Sequence, residues 1–139
     1  MRTPWLLAAW LIGIPPQTLE AQKVVTIKIE GSEKSGRFRF NPAQVEARPG
    51  DVLKFTVVSG APHTVVFQGD GLPADVHAAL NQAIPNRMGD LRGPMLSTGQ
   101  VLSFTIPALP PGKYVFYCLI HLSYKEQGEL TILPAKGKG

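Results

Sequence analysis

Cys118 is the one cysteine of the chain; His121 follows three residues later, and Glu126 five residues after that. A thiolate and an imidazole this close on one loop can grip a soft or borderline metal ion. A trigonal site of two histidines and one cysteine, with a weak axial fourth ligand, suits copper in electron transfer. The second histidine must come from elsewhere, and the chain offers His63 and His77. Taken alone, a buried cysteine is more often a small core side chain than a ligand. Glu126 without a metal reads as a plain surface carboxylate. The elements around these residues have to decide between ligation and packing.

Those elements are short and mostly β. Val24 to Ile29 is rich in β-branched residues and alternates at its end, which predicts a strand. Glu30 to Gly36 is polar and glycine-bounded and reads as a loop. Arg37 to Phe40 alternates again, Gln44 to Ala47 is a short extended piece, and Arg48-Pro49-Gly50-Asp51 is a turn. Asp51 to Val58 predicts a strand, and His63 to Phe67 begins the next one after the tight loop Ser59-Gly60-Ala61-Pro62. Gln68 to Gln100 is an excursion between strands, with a short helix expected over Ala74 to Ala83 behind Pro73. Val101 to Ile106, Lys113 to Cys118 and Gly128 to Leu133 complete the set. Tyr114, Phe116 and Cys118 share one face by period two. Such a pattern predicts an all-β, antiparallel Greek-key β-sandwich with one short helix in a long inter-strand excursion. Strand ends gather at one end of a sandwich, so His63, Cys118, His121 and Glu126 can converge there. His77 falls in the expected helix without a partner at suitable spacing and reads as exposed.

The length of 139 residues fits a single domain. Arg2, the apolar run Trp5 to Ile14, and the break at Pro15-Pro16 have the form of a secretory signal peptide over 1–21, leaving a domain over 22–139. That run is too short for a membrane span, which needs ~20 residues. Export makes an unpaired cysteine notable, because exported proteins use cysteines mainly in disulfides. A periplasmic or secreted location is the expectation. The net charge of +4 favours an acidic protein or an anionic membrane as partner. No Lys/Arg cluster interleaved with aromatics argues for nucleic acid. Nucleophile–base pairs and phosphate-binding glycine loops are also missing, so no enzymatic activity is expected.

Several stretches, in this order, carry a resemblance. Phe40-Asn41-Pro42 with Val45, then Pro49-Gly50-Asp51-Val52, are followed by Pro62-His63-Thr64-Val65-Val66-Phe67. Gly112 to Cys118 with His121, and Gly128-Glu129-Leu130, come last. Together they resemble the cupredoxin family, small blue-copper proteins of the plastocyanin and pseudoazurin type. The resemblance implies one copper ion with His63, Cys118 and His121 as equatorial ligands, and single-electron transfer between redox partners. Those partners are expected to dock near His121, and a monomer is expected. At the fourth position the family commonly has methionine; this chain has Glu126 at the same spacing. A carboxylate is harder than a thioether and favours Cu(II), which predicts a lowered reduction potential. Gln127, Met95 or Met88 are the other candidates for that position, or it stays empty.

Leu119, Ile120 and Leu122 flank His121 and predict an exposed apolar collar at the ligand edge. Two rival functions stay open at this point. One is a copper carrier or storage module without electron transfer; the other is a structural sandwich with a vestigial site. The same donor set also suits tetrahedral zinc.

Overall fold

The computed structural model describes residues 12–13 and 22–135. The expected leader over 1–21 therefore lies almost wholly outside the described residues. Among the described residues, eight strands form two four-stranded sheets. The first sheet orders β2 (Arg37–Asn41), β1 (Val24–Ser32), β4 (Val52–Val57) and β6 (Val101–Thr105). The second orders β3 (Gln44–Ala47), β8 (Gln127–Ile132), β7 (Gly112–Tyr117) and β5 (Val66–Phe67). The helix α1 covers Ala74–Ala83, as its alanine-rich composition predicts. Among the described residues no helix is long and apolar enough to cross a membrane.

The alternation of each strand explains the layering. In β2 and β6, and over Val24–Ile29 of β1, every second residue is buried and the others face solvent. Between the sheets, Phe40, Phe55 and Phe116 meet edge to face, with ring centroids 4.9 to 6.0 Å apart. This is the favoured geometry for ring quadrupoles. The helix adds Val76 and Leu80 to the same core.

Three expectations need correction. The sandwich is not wholly antiparallel: β1 pairs with β4 in parallel, and so does β3 with β8. After β2 the chain crosses to the other sheet at Pro42-Ala43, so β4 returns beside β1 running the same way. A period of two is identical for both directions and cannot reveal this. The strand expected over His63 to Phe67 is regular only at Val66–Phe67. The Thr64 N–H points instead at the Cys118 sulfur, at 3.3 Å, and is lost to the ladder. The first hairpin is also longer than expected. Glu30 to Ser32 stay in β1 and pair with β2, helped by an Arg39–Glu30 ion pair of 2.8 Å.

β1, β4 and β7 all run toward one end of the sandwich. The connections leaving it there hold His63, Cys118, His121 and Glu126.

Candidate metal centre

β7 delivers Cys118 to that end of the core, where it is fully buried. The chain then turns through a 3₁₀ segment, Leu119–Tyr124, and Lys125 takes a left-handed conformation at φ 56°. The loop is closed by the Cys118 N–H donating to the Glu126 carbonyl at 3.0 Å. This places Glu126 at the mouth of β8 with its side chain turned inward. The next residue but one must be glycine, because a Cβ at Gly128 would collide with the Phe116 ring and lie 2.7 Å from the Ala43 carbonyl.

His63 arrives from the other side. Its backbone exchanges hydrogen bonds with Leu96, at 2.9 and 2.8 Å, which ties it to the returning excursion. Its Nε2 lies 2.8 Å from the Ser59 carbonyl. A carbonyl can only accept, so Nε2 carries a proton and Nδ1 is the free lone pair, turned to the site. Fixing a ligand's tautomer through its other nitrogen is the usual work of a second contact. The loop that offers this carbonyl packs tightly on β1. A Cβ at Gly60 would lie 2.6 Å from the Gly31 backbone, and Gly60 has φ 72°, so only glycine suits it.

One donor atom from each of His63, Cys118, His121 and Glu126 lies within 4.8 Å of the others. His63 Nδ1 is 2.9 Å from Glu126 Oε1, and His121 Nδ1 is 2.7 Å from Oε2. His121 Nδ1 is also 3.4 Å from the Cys118 sulfur. The Glu126 oxygens and His63 Nδ1 are buried and have no properly oriented hydrogen-bond partner. Buried polar atoms are almost always partnered, so each exception needs a reason. Lone pairs this close require a proton or a cation between them. A nitrogen, sulfur and oxygen set of this kind fits a transition metal in both number and type. Without a metal the proton goes to His63. Burial opposes its charge, but contacts with Cys118, the Glu126 carboxylate and the Ser59 carbonyl outweigh this and push the pKa up to about 10.

The surroundings hold the donors still. The Thr64 hydroxyl lies 3.8 Å from the Cys118 sulfur and accepts the Leu119 N–H at 3.0 Å. Phe38, from β2, stacks on the His121 ring at 3.8 Å and 19°, and Tyr124 tilts against Phe38 at 4.6 Å. Leu119, Ile120, Leu122 and Tyr124 are 39, 43, 54 and 47% exposed, so the expected apolar collar exists, with Tyr124 as an added member.

The structure thus brings together the four residues that the sequence singled out. Among the alternatives for the fourth position, Gln127, Met95 and Met88 are all exposed. His77 is not free as expected. It is half-buried and meets Asp90 at 2.9 Å, with Asn81 beside it. Ser59, Thr64 and Phe38 escaped sequence reasoning. Only adjacency to His63 hinted at Thr64, and the alternation of β2 at Phe38.

Residues 25–133 match the profile of copper binding proteins, plastocyanin/azurin family. Plastocyanin of Dryopteris crassirhizoma is 31% identical over 106 residues, 76% of this chain and 98% of the relative. Its oxidised structure superposes with a TM-score of 0.56 and 31% identity, over 76% of this chain and 99% of that one. A chloroplastic plastocyanin of Physcomitrium patens is 30% identical over 77% of this chain and 56% of its own length. A purple cupredoxin from Nitrosopumilus maritimus shares the fold, with a TM-score of 0.54 at 19% identity, over 78% of this chain and 99% of that one.

Proposed function

Because the chain belongs to the plastocyanin/azurin family of copper-binding proteins, we propose that it carries single electrons on one copper ion held by His63, Cys118, His121 and Glu126. The observation that carries this reading is the buried donor set: His63 Nδ1 and both Glu126 oxygens have no hydrogen bond, and one donor atom from each of His63, Cys118, His121 and Glu126 lies within 4.8 Å of the others. Copper supplies a one-electron couple between Cu(I) and Cu(II). The chain's part is to hold the donors in one geometry for both states, so that little has to move when the electron does.

Each residue has a distinct task. The Cys118 sulfur supplies soft, covalent donation, steadied by the Thr64 N–H. His63 Nδ1 is aimed by the Ser59 carbonyl. His121 is the ligand nearest solvent, its side chain 12% exposed, and the collar surrounds its edge. Electrons pass there to a redox protein pressed against the apolar surface, which removes water from the gap. Glu126 adds a second negative charge beside the thiolate. Together the thiolate and the carboxylate would balance the charge of a divalent ion better than that of a monovalent one.

The protein is a carrier rather than an enzyme in this reading, and it acts in a periplasmic or secreted setting. The leader read over 1–21 and the single unpaired cysteine support that location. One observation favours a second reading, a copper carrier or store without electron transfer: the buried Glu126 carboxylate, which strengthens the preference for Cu(II).

Addition of Cu(II) to the protein tests the assignment. An intense thiolate-to-copper band in the visible spectrum, lost in Cys118→Ala, is the expected result. A colourless product, with the variant behaving identically, refutes it. Reversible one-electron cycling in a voltammogram separates the electron carrier from the store.

A further inference from the structure

The electron-carrier reading leaves the partner's chemistry open, and the inference here rests on that reading. Four segments build the metal end: residues 32–37, 58–63, 94–100 and 118–126. Those at 58–63 and 94–100 contain no Lys, Arg, Asp or Glu. All the solvent-facing charge sits on the other two, as Glu33, Lys34, Arg37 and Lys125, each exposed; Glu126 is withdrawn into the site. Arg39, further along β2, is already paired with Glu30.

The two charged segments lie side by side. A Cβ at Gly36 would come within 3.8 Å of the Tyr124 ring, and Phe38 lies against the same ring. Lys34 and Arg37 thus belong to the connection that meets Tyr124 at Gly36, and Lys125 follows Tyr124 on the other. The cations form one side of the apolar collar. The opposite side, at 94–100, is uncharged and exposes Met95. Beside Arg37 opens a groove of about 230 Å³, lined by Ser32, Ser35 and Ser59 and by the paired Glu30 and Arg39, which leaves Arg37 as its one unpaired cation among the described residues. The positive character is local. On the outer face of the second sheet, Glu46 and Glu129 outnumber Lys113, which pairs with Glu129 at 3.5 Å.

We infer that this end docks an acidic redox protein, with the partner's carboxylates set against Lys34, Arg37 and Lys125 and its apolar centre on the collar. An apolar middle with a polar rim is the ordinary anatomy of a transient interface. Complementary charge raises the encounter rate and fixes orientation more than it adds affinity. A rim charged on one side only also sets the rotation of the partner about the His121 edge.

The test uses the full chain loaded with copper and reduced to Cu(I), and two small oxidants of opposite charge, hexacyanoferrate(III) and hexaammineruthenium(III). The variant K34E/R37E/K125E is compared with K23E/K54E/K113E, which has the same total charge but leaves the metal end alone. At low salt the first variant slows hexacyanoferrate at least about tenfold more than the second, within the range for steered association. It accelerates the ruthenium complex, and both effects fade at high salt. Its visible spectrum stays unchanged. A second measurement needs no metal: amide shifts of the protein titrated with a hexaglutamate peptide concentrate at residues 33–38 and 119–125. Equal slowing by the two variants, or amide shifts spread equally over Lys23, Lys54 and Lys113, overturns the inference while leaving the electron-carrier reading intact. No exchange with either oxidant overturns that reading and the inference together.

Discussion

Replacing Glu126 by glutamine removes one buried charge and almost no volume, which makes it a clean probe of the fourth position. Both carboxylate oxygens face the donor cluster, and the donor atoms all lie within 4.8 Å of one another. A charge held among them is thus no more than about 4 Å from the carboxylate. At that separation two unit charges interact by ~4 kcal/mol at an effective dielectric constant of 20. Oxidation raises the charge in the site by one unit, so the carboxylate favours the oxidised state by that amount. For one electron, tenfold in equilibrium constant is about 59 mV. Some 4 kcal/mol then corresponds to roughly 170 mV, and Glu126→Gln is expected to raise the reduction potential by about 100–200 mV. The sign is fixed: removing a negative charge destabilises Cu(II) relative to Cu(I). Potentiometric titration followed by the visible band measures it directly, and Glu126→Met is expected to move the potential the same way. A potential that stays within about 30 mV of the original, or falls, refutes the placement of Glu126 at the metal.

Other outcomes follow from the same geometry. His63 gains protons on folding without a metal, because its pKa rises from 6.5 to about 10; the stability this gives is full below pH 6.5 and is lost as pH climbs through about 10. Urea denaturation of the metal-free protein at a series of pH values should show that decline, and Glu126→Gln should flatten it. Gly128→Ala drives a methyl group into the Phe116 ring and the Ala43 carbonyl. A loss of about 1–3 kcal/mol, read as a lowered melting temperature, is expected, and an unchanged value would show that β8 shifts freely. Leu122→Glu places a charge in the collar, on a residue 54% exposed; it should slow electron exchange with a protein partner and leave the copper spectrum as it was.

Much of this was legible in the residues, and the parts that were not share a cause. Strand positions follow from alternation, which reports burial directly, so the inward set Tyr114, Phe116 and Cys118 was readable. The loop donors were readable because their spacing is short and one loop carries them. The direction of β4 beside β1 was hidden, since alternation carries no sense of direction. Ser59 acts through its backbone carbonyl, which every residue has, and no side-chain type could mark it. Phe38 reaches His121 from a distant strand, and in sequence it looks like any other inward aromatic. The partner of His77, Asp90, lies 13 residues away across the excursion, beyond any helical spacing.

The arrangement of donors also has a consequence for how the molecule assembles. β7 and β8 are an antiparallel pair joined by the short Cys118–Glu126 connection, which closes on its own hydrogen bond. Local pairs of this kind form in microseconds, whereas contacts distant in sequence pay a larger loop-closure cost and come later. Three of the four donors belong to that hairpin, and His63 lies 55 residues before Cys118. During refolding the thiolate, His121 and Glu126 meet first, and His63 joins when the distant segment before β5 is brought against β7. Colour developed in the presence of copper is therefore a clock for that long-range step.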